Sequence, residues 1–177
     1  MNDRPARTST STSTSTSTSA PAPAPQAAIN ATHVLVVDDD AAIRGTLRVA
    51  LEDAGYTVHE APDGLIAMDL LLTSPFPLVV LLDLMMPRMT GSEILELFAN
   101  DSVWARRHAF IVLTAAAGRS GVVQLRPLLR QLASPLLPKP YDLDALLAAV
   151  HAAAQRLVAR AADRPRDPGD RPDEVTL

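Results

Sequence analysis

Cysteine is absent from all 177 residues, which excludes disulfides, thiol nucleophiles and cysteine-ligated zinc and is compatible with a reducing cytoplasm. A basic excess is missing too: 16 Lys and Arg face 20 Asp and Glu, for a net charge of −4. Without a basic footprint, neither direct nucleic-acid binding nor attachment to an anionic membrane surface is expected. Long apolar runs are also lacking, because charge or proline interrupts each one well short of the ~20 residues that a membrane-spanning helix needs. Membrane insertion is therefore not expected, and the chain reads as soluble and cytoplasmic. What is present is a chain 47% hydrophobic, long enough for one packed domain and short for two.

The biased ends shorten that domain. Residues 8–19 alternate Thr and Ser, and residues 20–28 read APAPAPQAA. Neither tract buries enough apolar surface to offset the entropy of ordering it. This arm, 1–30, has neither the amphipathic pattern of a transit peptide nor the apolar core of a secretory signal, so it reads as a disordered, solvated extension. From Arg164 the sequence RPRDPGDRPDEVTL mixes charges with three prolines, and 161–177 reads as a second disordered tail. The folded domain is expected over 31–160.

Within those limits strand-like and helix-like runs alternate. HVLVV (33–37), LVVLL (78–82) and AFIVL (109–113) are continuous apolar stretches without alternation, which suits strands covered by helices on both faces of a parallel sheet. YTVHE (56–60) is a weaker strand, and PLLP (135–138) a short fifth. After the first strand, Ile43, Leu47, Ala50, Leu51 and Ala54 share one helical face, Arg44, Arg48 and Glu52 another, and Gly55 stops the helix. Thr90 and Glu93 have capping-box spacing ahead of Ile94, Leu95, Leu97 and Phe98, and Asp142 can cap a last helix carrying Leu146, Val150 and Leu157. Five βα units result.

In such a sheet, ligands gather at the carboxyl ends of the strands. There the first strand ends in Asp38 and Asp39, the third in Asp83, the fourth in Thr114 and the fifth in Lys139. Three carboxylates held together disfavour full ionisation unless a cation sits among them. Oxygen-only ligands of this kind suit Mg²⁺, which keeps several waters and completes its shell with phosphate. Mg²⁺ beside a free carboxylate, an ammonium and a hydroxyl is the equipment of phosphoryl transfer, with an aspartate able to serve as nucleophile. Asp40 is expected at a helix start, and His33, His59, His108 and His151 share no ligand spacing.

The segments VLVVDDD (34–40), VVLLDLMMPRMTG (79–91), FIVLTA (110–115) and LPKPYDLDAL (137–146) resemble the receiver domain of two-component response regulators, the CheY-like family, over about 32–158. The resemblance implies a flavodoxin/CheY-like, doubly wound five-stranded sheet, (βα)5, in the order 2-1-3-4-5. It also implies roles. Asp83 would accept a phosphoryl group from a sensor histidine kinase or a histidine phosphotransfer protein. Asp39 and Asp83 would ligate Mg²⁺, Asp38 would do so through water, and Met85 would lend its backbone carbonyl. Thr114 would hydrogen-bond one phosphoryl oxygen and Lys139 would pair with another, with Pro140 following through a cis bond. Such a domain is no enzyme beyond its own phosphorylation and dephosphorylation. With only a tail after the last helix, it would stand alone and signal or relay through a downstream protein partner.

Three positions depart from the family pattern. Leu136 stands where an aromatic residue usually changes places as the Thr moves, and Ala116 offers no group to orient attacking water. Pro127 predicts a fourth helix that begins there or is broken there, after a mobile loop. Leu136 and Pro127 favour an alternative, a receiver-like scaffold whose partner binding ignores phosphate. An aspartate-nucleophile hydrolase is disfavoured, because Met85 stands where a second aspartate is required.

Overall fold

A computed structural model describes residues 32–115 and 119–163. The Ser/Thr- and Pro/Ala-rich arm, Ala116 with the start of its loop, and the tail from Arg164 lie outside the described residues. Among the described residues, five strands, β1 (His33–Val37), β2 (Thr57–Ala61), β3 (Leu78–Asp83), β4 (Ala109–Ala115) and β5 (Leu136–Lys139), form one sheet in the order β2-β1-β3-β4-β5. Every neighbouring pair is parallel. The expected order 2-1-3-4-5 is the one that forms. Among the described residues, six helices connect and follow the strands: α1 (Ala41–Asp53), α2 (Gly64–Thr73), α3 (Gly91–Ala99), α4 (Trp104–Arg107), α5 (Arg119–Gln131) and α6 (Leu143–Ala162).

The unbroken apolar runs are explained by burial on both faces of the sheet. Leu35, Val37, Val80, Leu82, Phe110 and Val112 point to one side, where α2, α3 and α5 supply Leu71, Ile94, Phe98, Leu125 and Leu129. Val34, Val36, Val79, Leu81, Ile111 and Leu113 point to the other, against Leu47 and Leu51 of α1 and Leu146, Val150 and Leu157 of α6. Each such side chain contributes ~1.5–3 kcal/mol on leaving water, so Leu81→Ala, with its cavity, is enough to unfold a marginal domain.

Helix ends follow the chemistry of their caps. Asp40 caps α1 through Ala42 N and Ile43 N, Asp142 caps α6 through Ala145 N, and Thr90 with Glu93 closes the expected capping box on α3. Gly55, at φ 89°, turns the chain after α1. Edge strand β5 tolerates Pro138, which has no N–H to give to a further neighbour.

Four details differ from the sequence reading. Helix α5 runs from Arg119 to Gln131 straight through Pro127. The proline is exposed, so water can serve the carbonyl four residues earlier that its missing N–H leaves free. The short helix α4 was not anticipated, because four residues are too few for periodicity to register. Helix α6 extends through Ala161 and Ala162, past the expected end at 160. Ala54 is exposed and does not join the buried face of α1. Among the described residues, no helix is long and apolar enough to cross a membrane.

Candidate functional site

At the carboxyl edge of the sheet, backbone bonds fix the chain before any side chain is placed. Asp38 N donates to Ala61 O at 3.3 Å and Leu84 N to Leu113 O at 3.4 Å, which ties the ends of β1 and β3 to their neighbours. The Arg44 guanidinium reaches up from α1 and donates to the carbonyls of Asp38 (2.8 Å) and Asp39 (3.2 Å), while its Nε pairs with Glu60. That locks the turn in which the first two carboxylates stand. Asp38 is buried and accepts from Asp40 N at 3.0 Å, whereas Asp39 is exposed.

Lys139 closes the arrangement from β5. Its Nζ donates to Asp38 Oδ2 at 2.6 Å and Asp83 Oδ2 at 2.8 Å, and Asp83 Oδ1 accepts from Met85 N at 3.3 Å. Partial burial alone would pull the Lys139 ammonium down, but hydrogen bonds to Asp38 and Asp83 and their charges outweigh it, so its pKa lies above the ordinary lysine value. Tyr141, two residues on, is pushed up chiefly by burial; Lys139 opposes that rise and Asp38 and Asp83 add to it. The Lys139–Pro140 bond is cis, as expected.

The loop after β3 is held by close approach. An added methyl on Gly91 would overlap the Asp83 carbonyl oxygen, and one on Gly64 would overlap the carbonyl of Met89, so both positions require glycine for space. Gly91 N returns to Leu84 O at 3.2 Å. Arg88, at φ 69°, pairs with Asp63, which is itself buried and caps α2 through Leu65 N and Ile66 N. The loop beneath Asp83 is therefore pinned to α2.

Asp38, Asp39 and Asp83 each offer an oxygen, all within 4.8 Å of one another. Three carboxylates against one ammonium leave two negative charges, which one divalent ion would balance. An oxygen-only set, part buried and part open to water, fits Mg²⁺. Met85 has an exposed side chain at 71%, so only its backbone is placed to serve. Met86 is buried in the core, and Met89 packs against it.

Thr114 lies at the end of β4 and is buried, but its hydroxyl donates to Ala115 O at 3.3 Å and joins neither carboxylate. Leu136 is half-buried against the first core cluster. The histidines are all engaged elsewhere. His33 bonds His59 at 3.1 Å and stacks on Phe76, His108 sits between Leu78 N and Leu71 O, and His151 meets Tyr56. Sequence reasoning missed Arg44, Asp63, Gly64, Arg88 and Gly91 as supports of this site. The Gly91 that opens the capped helix and the Arg at i+4 from Asp40 were the only local signals.

A parallel α/β sheet whose switch-point edge carries three carboxylates and a lysine defines the class of doubly wound α/β domains with an acidic ligand edge. Comparison narrows it. The sequence profile of the response regulator receiver domain matches residues 34–151, and the chain belongs to that family. The response regulator MprA of Mycolicibacterium vanbaalenii is 40% identical over 125 residues, 70% of this chain and 50% of that protein. MprA of Mycobacterium tuberculosis H37Rv is 38% identical over 128 residues, 71% of this chain and 52% of that protein. The chain thus spans about half the length of these curated relatives. Among solved structures, a CheY-like receiver domain protein from Methanospirillum hungatei superposes with a TM-score of 0.61 at 28% identity, covering 73% of this chain and 98% of that one.

Proposed function

We propose that Asp83 accepts a phosphoryl group from the phosphohistidine of a sensor kinase or a phosphotransfer protein. The observation that carries this reading is Lys139 bridging Asp38 and Asp83 while Asp39 stands within ligand distance, a cluster that still lacks two positive charges. Asp39, Asp83 and the Met85 carbonyl would hold Mg²⁺ directly and Asp38 through water. The bound ion supplies charge neutralisation for the incoming phosphoryl group.

An Asp83 carboxylate oxygen forms the new O–P bond as the donor's P–N bond breaks. The imidazole leaves with the electron pair and takes a proton from solvent. Lys139, already on Asp83, needs only a small shift to pair with a phosphoryl oxygen, and Thr114 must turn its hydroxyl from Ala115 toward the other. That turn converts the charge on Asp83 into a change at β4, which is the basis of a switch in partner binding. The chemistry is confined to the domain's own aspartate, and the setting is the cytoplasm, with a downstream protein as the recipient of the signal.

A second reading has one observation in its favour. Leu136 is half-buried in the core and has no polar tip to alternate between wet and buried states, which fits a scaffold whose partners ignore phosphate. Acetyl phosphate with Mg²⁺ separates the two. The switch predicts a mass gain of one phosphoryl group, lost in Asp83→Asn, with amide shifts spreading from β4 and β5. Modification that leaves those amides unmoved supports the scaffold, and no modification refutes both the acceptor role and the switch.

A further inference from the structure

The opposite pole of the sheet carries charge that the switch does not use. Among the described residues, every arginine on α1 and in the loop after β3 pairs with a carboxylate, yet Arg106 and Arg107 of α4, Arg126 and Arg130 of α5, and Arg156 and Arg160 of α6 pair with none. In a domain of net negative charge this one-sided surplus gives that end of the sheet a local positive potential.

Three of these side chains meet at one cleft of about 680 Å³, walled by Pro75, Pro77, Val103 and Leu157 and lined by Arg106, Arg107 and Arg160. That volume falls within the ~300–1,000 Å³ typical of small-molecule sites. Among the described residues, Asp163 is the cleft's only acid and Ser102 its only hydroxyl, so this lining carries two net positive charges. Arg107 is held rigidly. One of its terminal nitrogens donates to the Ser74 carbonyl, its guanidinium carbon lies 5.4 Å from the Trp104 ring centroid, and its buried Nε has no acceptor. Arg160 makes only a 3.5 Å contact to the Arg106 carbonyl. Val103 on the rim is 70% exposed, an apolar wall of the cleft.

We propose that this cleft binds an organic phosphomonoester of the nucleoside monophosphate class. Two unpaired guanidinium forks match the oxygens of a phosphate, whose charge of about −1.5 to −2 at neutral pH balances the lining. The proline, valine and leucine walls give the rest of the ligand an apolar seat that inorganic phosphate leaves empty. The site lies at the end of the sheet away from Asp83 and does not depend on the acceptor role.

Trp104, the chain's single tryptophan, reports occupancy. The 177-residue chain is titrated with inorganic phosphate and with AMP by Trp fluorescence and calorimetry, beside Arg106→Ala/Arg160→Ala. AMP is expected to bind about tenfold or more tightly than phosphate, and the double variant to lose about tenfold or more while keeping its circular dichroism and its acetyl-phosphate labelling. Arg160→Lys, which keeps charge without the fork, should recover only part of the loss. Equal binding of phosphate and AMP, a double variant that binds like the wild type, or capture by anionic lipid vesicles with no response to AMP would each overturn the proposal.

Discussion

Replacing Lys139 with methionine removes the cation that holds Asp38 and Asp83 together while keeping much of the side-chain volume. Two charge-assisted hydrogen bonds are lost, each worth ~1.5–3 kcal/mol. The repulsion between the two carboxylates, whose oxygens lie no more than 4.8 Å apart, is about 3.5 kcal/mol at an effective dielectric constant of ~20; it is present in both proteins and is no longer offset in the variant. Against this, methionine avoids the cost of desolvating an ammonium that is only 19% exposed, and Asp39 and water relax around the gap. The net destabilisation is about 3–5 kcal/mol, the range for removing one partner of a buried pair. Urea unfolding in excess EDTA measures it as a lower midpoint with unchanged slope.

Mg²⁺ should then restore more stability to the variant than to the wild type, because it enters a site with one more unbalanced negative charge. The pH dependence has a definite sign. The Lys139 pKa is raised above 10.5 in the folded state, so its contribution is complete below the unfolded value and disappears as pH climbs through the folded one. The gap between wild type and Lys139→Met therefore holds across neutral pH and narrows only above about pH 10.5. Equal stability of the two proteins in EDTA, or equal stabilisation of both by Mg²⁺, would refute the reasoning.

Three other outcomes follow from the same geometry. Gly91→Ala drives a methyl into the Asp83 carbonyl and should cost ~1–3 kcal/mol in urea unfolding, with weaker Mg²⁺ binding because Asp83 must move. Asp63→Ala deletes the α2 cap and the Arg88 partner together and should cost ~2 kcal/mol by the same assay, leaving acetyl-phosphate labelling detectable but slower. Burial holds His108 at a pKa of about 4, helped by Arg107 and opposed by its bond to Leu71. Because the folded value lies below the unfolded one, stability is complete above about pH 6.5 and is lost by up to ~3 kcal/mol as pH falls toward 4. A His108 imidazole NMR signal that titrates near 6.5 would contradict that burial.

The sheet was legible because β1, β3 and β4 are buried on both faces, so their sequences are apolar without alternation. The carboxylates and lysine were legible because each follows such a run, and strand ends in a parallel sheet share one edge. The supports were not. Arg44 was read as part of a polar helix face, yet it bonds the carbonyls of Asp38 and Asp39, a contact set by how α1 packs and not by its own periodicity. Asp63, Gly64 and Arg88 act on the loop after β3 across some 25 residues, and no local pattern encodes that reach. Pro127 misled because the rule against proline weighs the lost hydrogen bond without asking whether water can replace it. Thr114 was placed by sequence, but the direction of its hydroxyl depends on rotation alone.

The most direct test of the acceptor assignment is to label the protein with acetyl phosphate and Mg²⁺, reduce the acyl phosphate with borohydride, and map the peptides. The account predicts a single reduced aspartate, at Asp83, in the tryptic fragment ending at Arg88. Reduction at Asp38 or Asp39, or no reduced aspartate under conditions where the protein binds Mg²⁺, would contradict it.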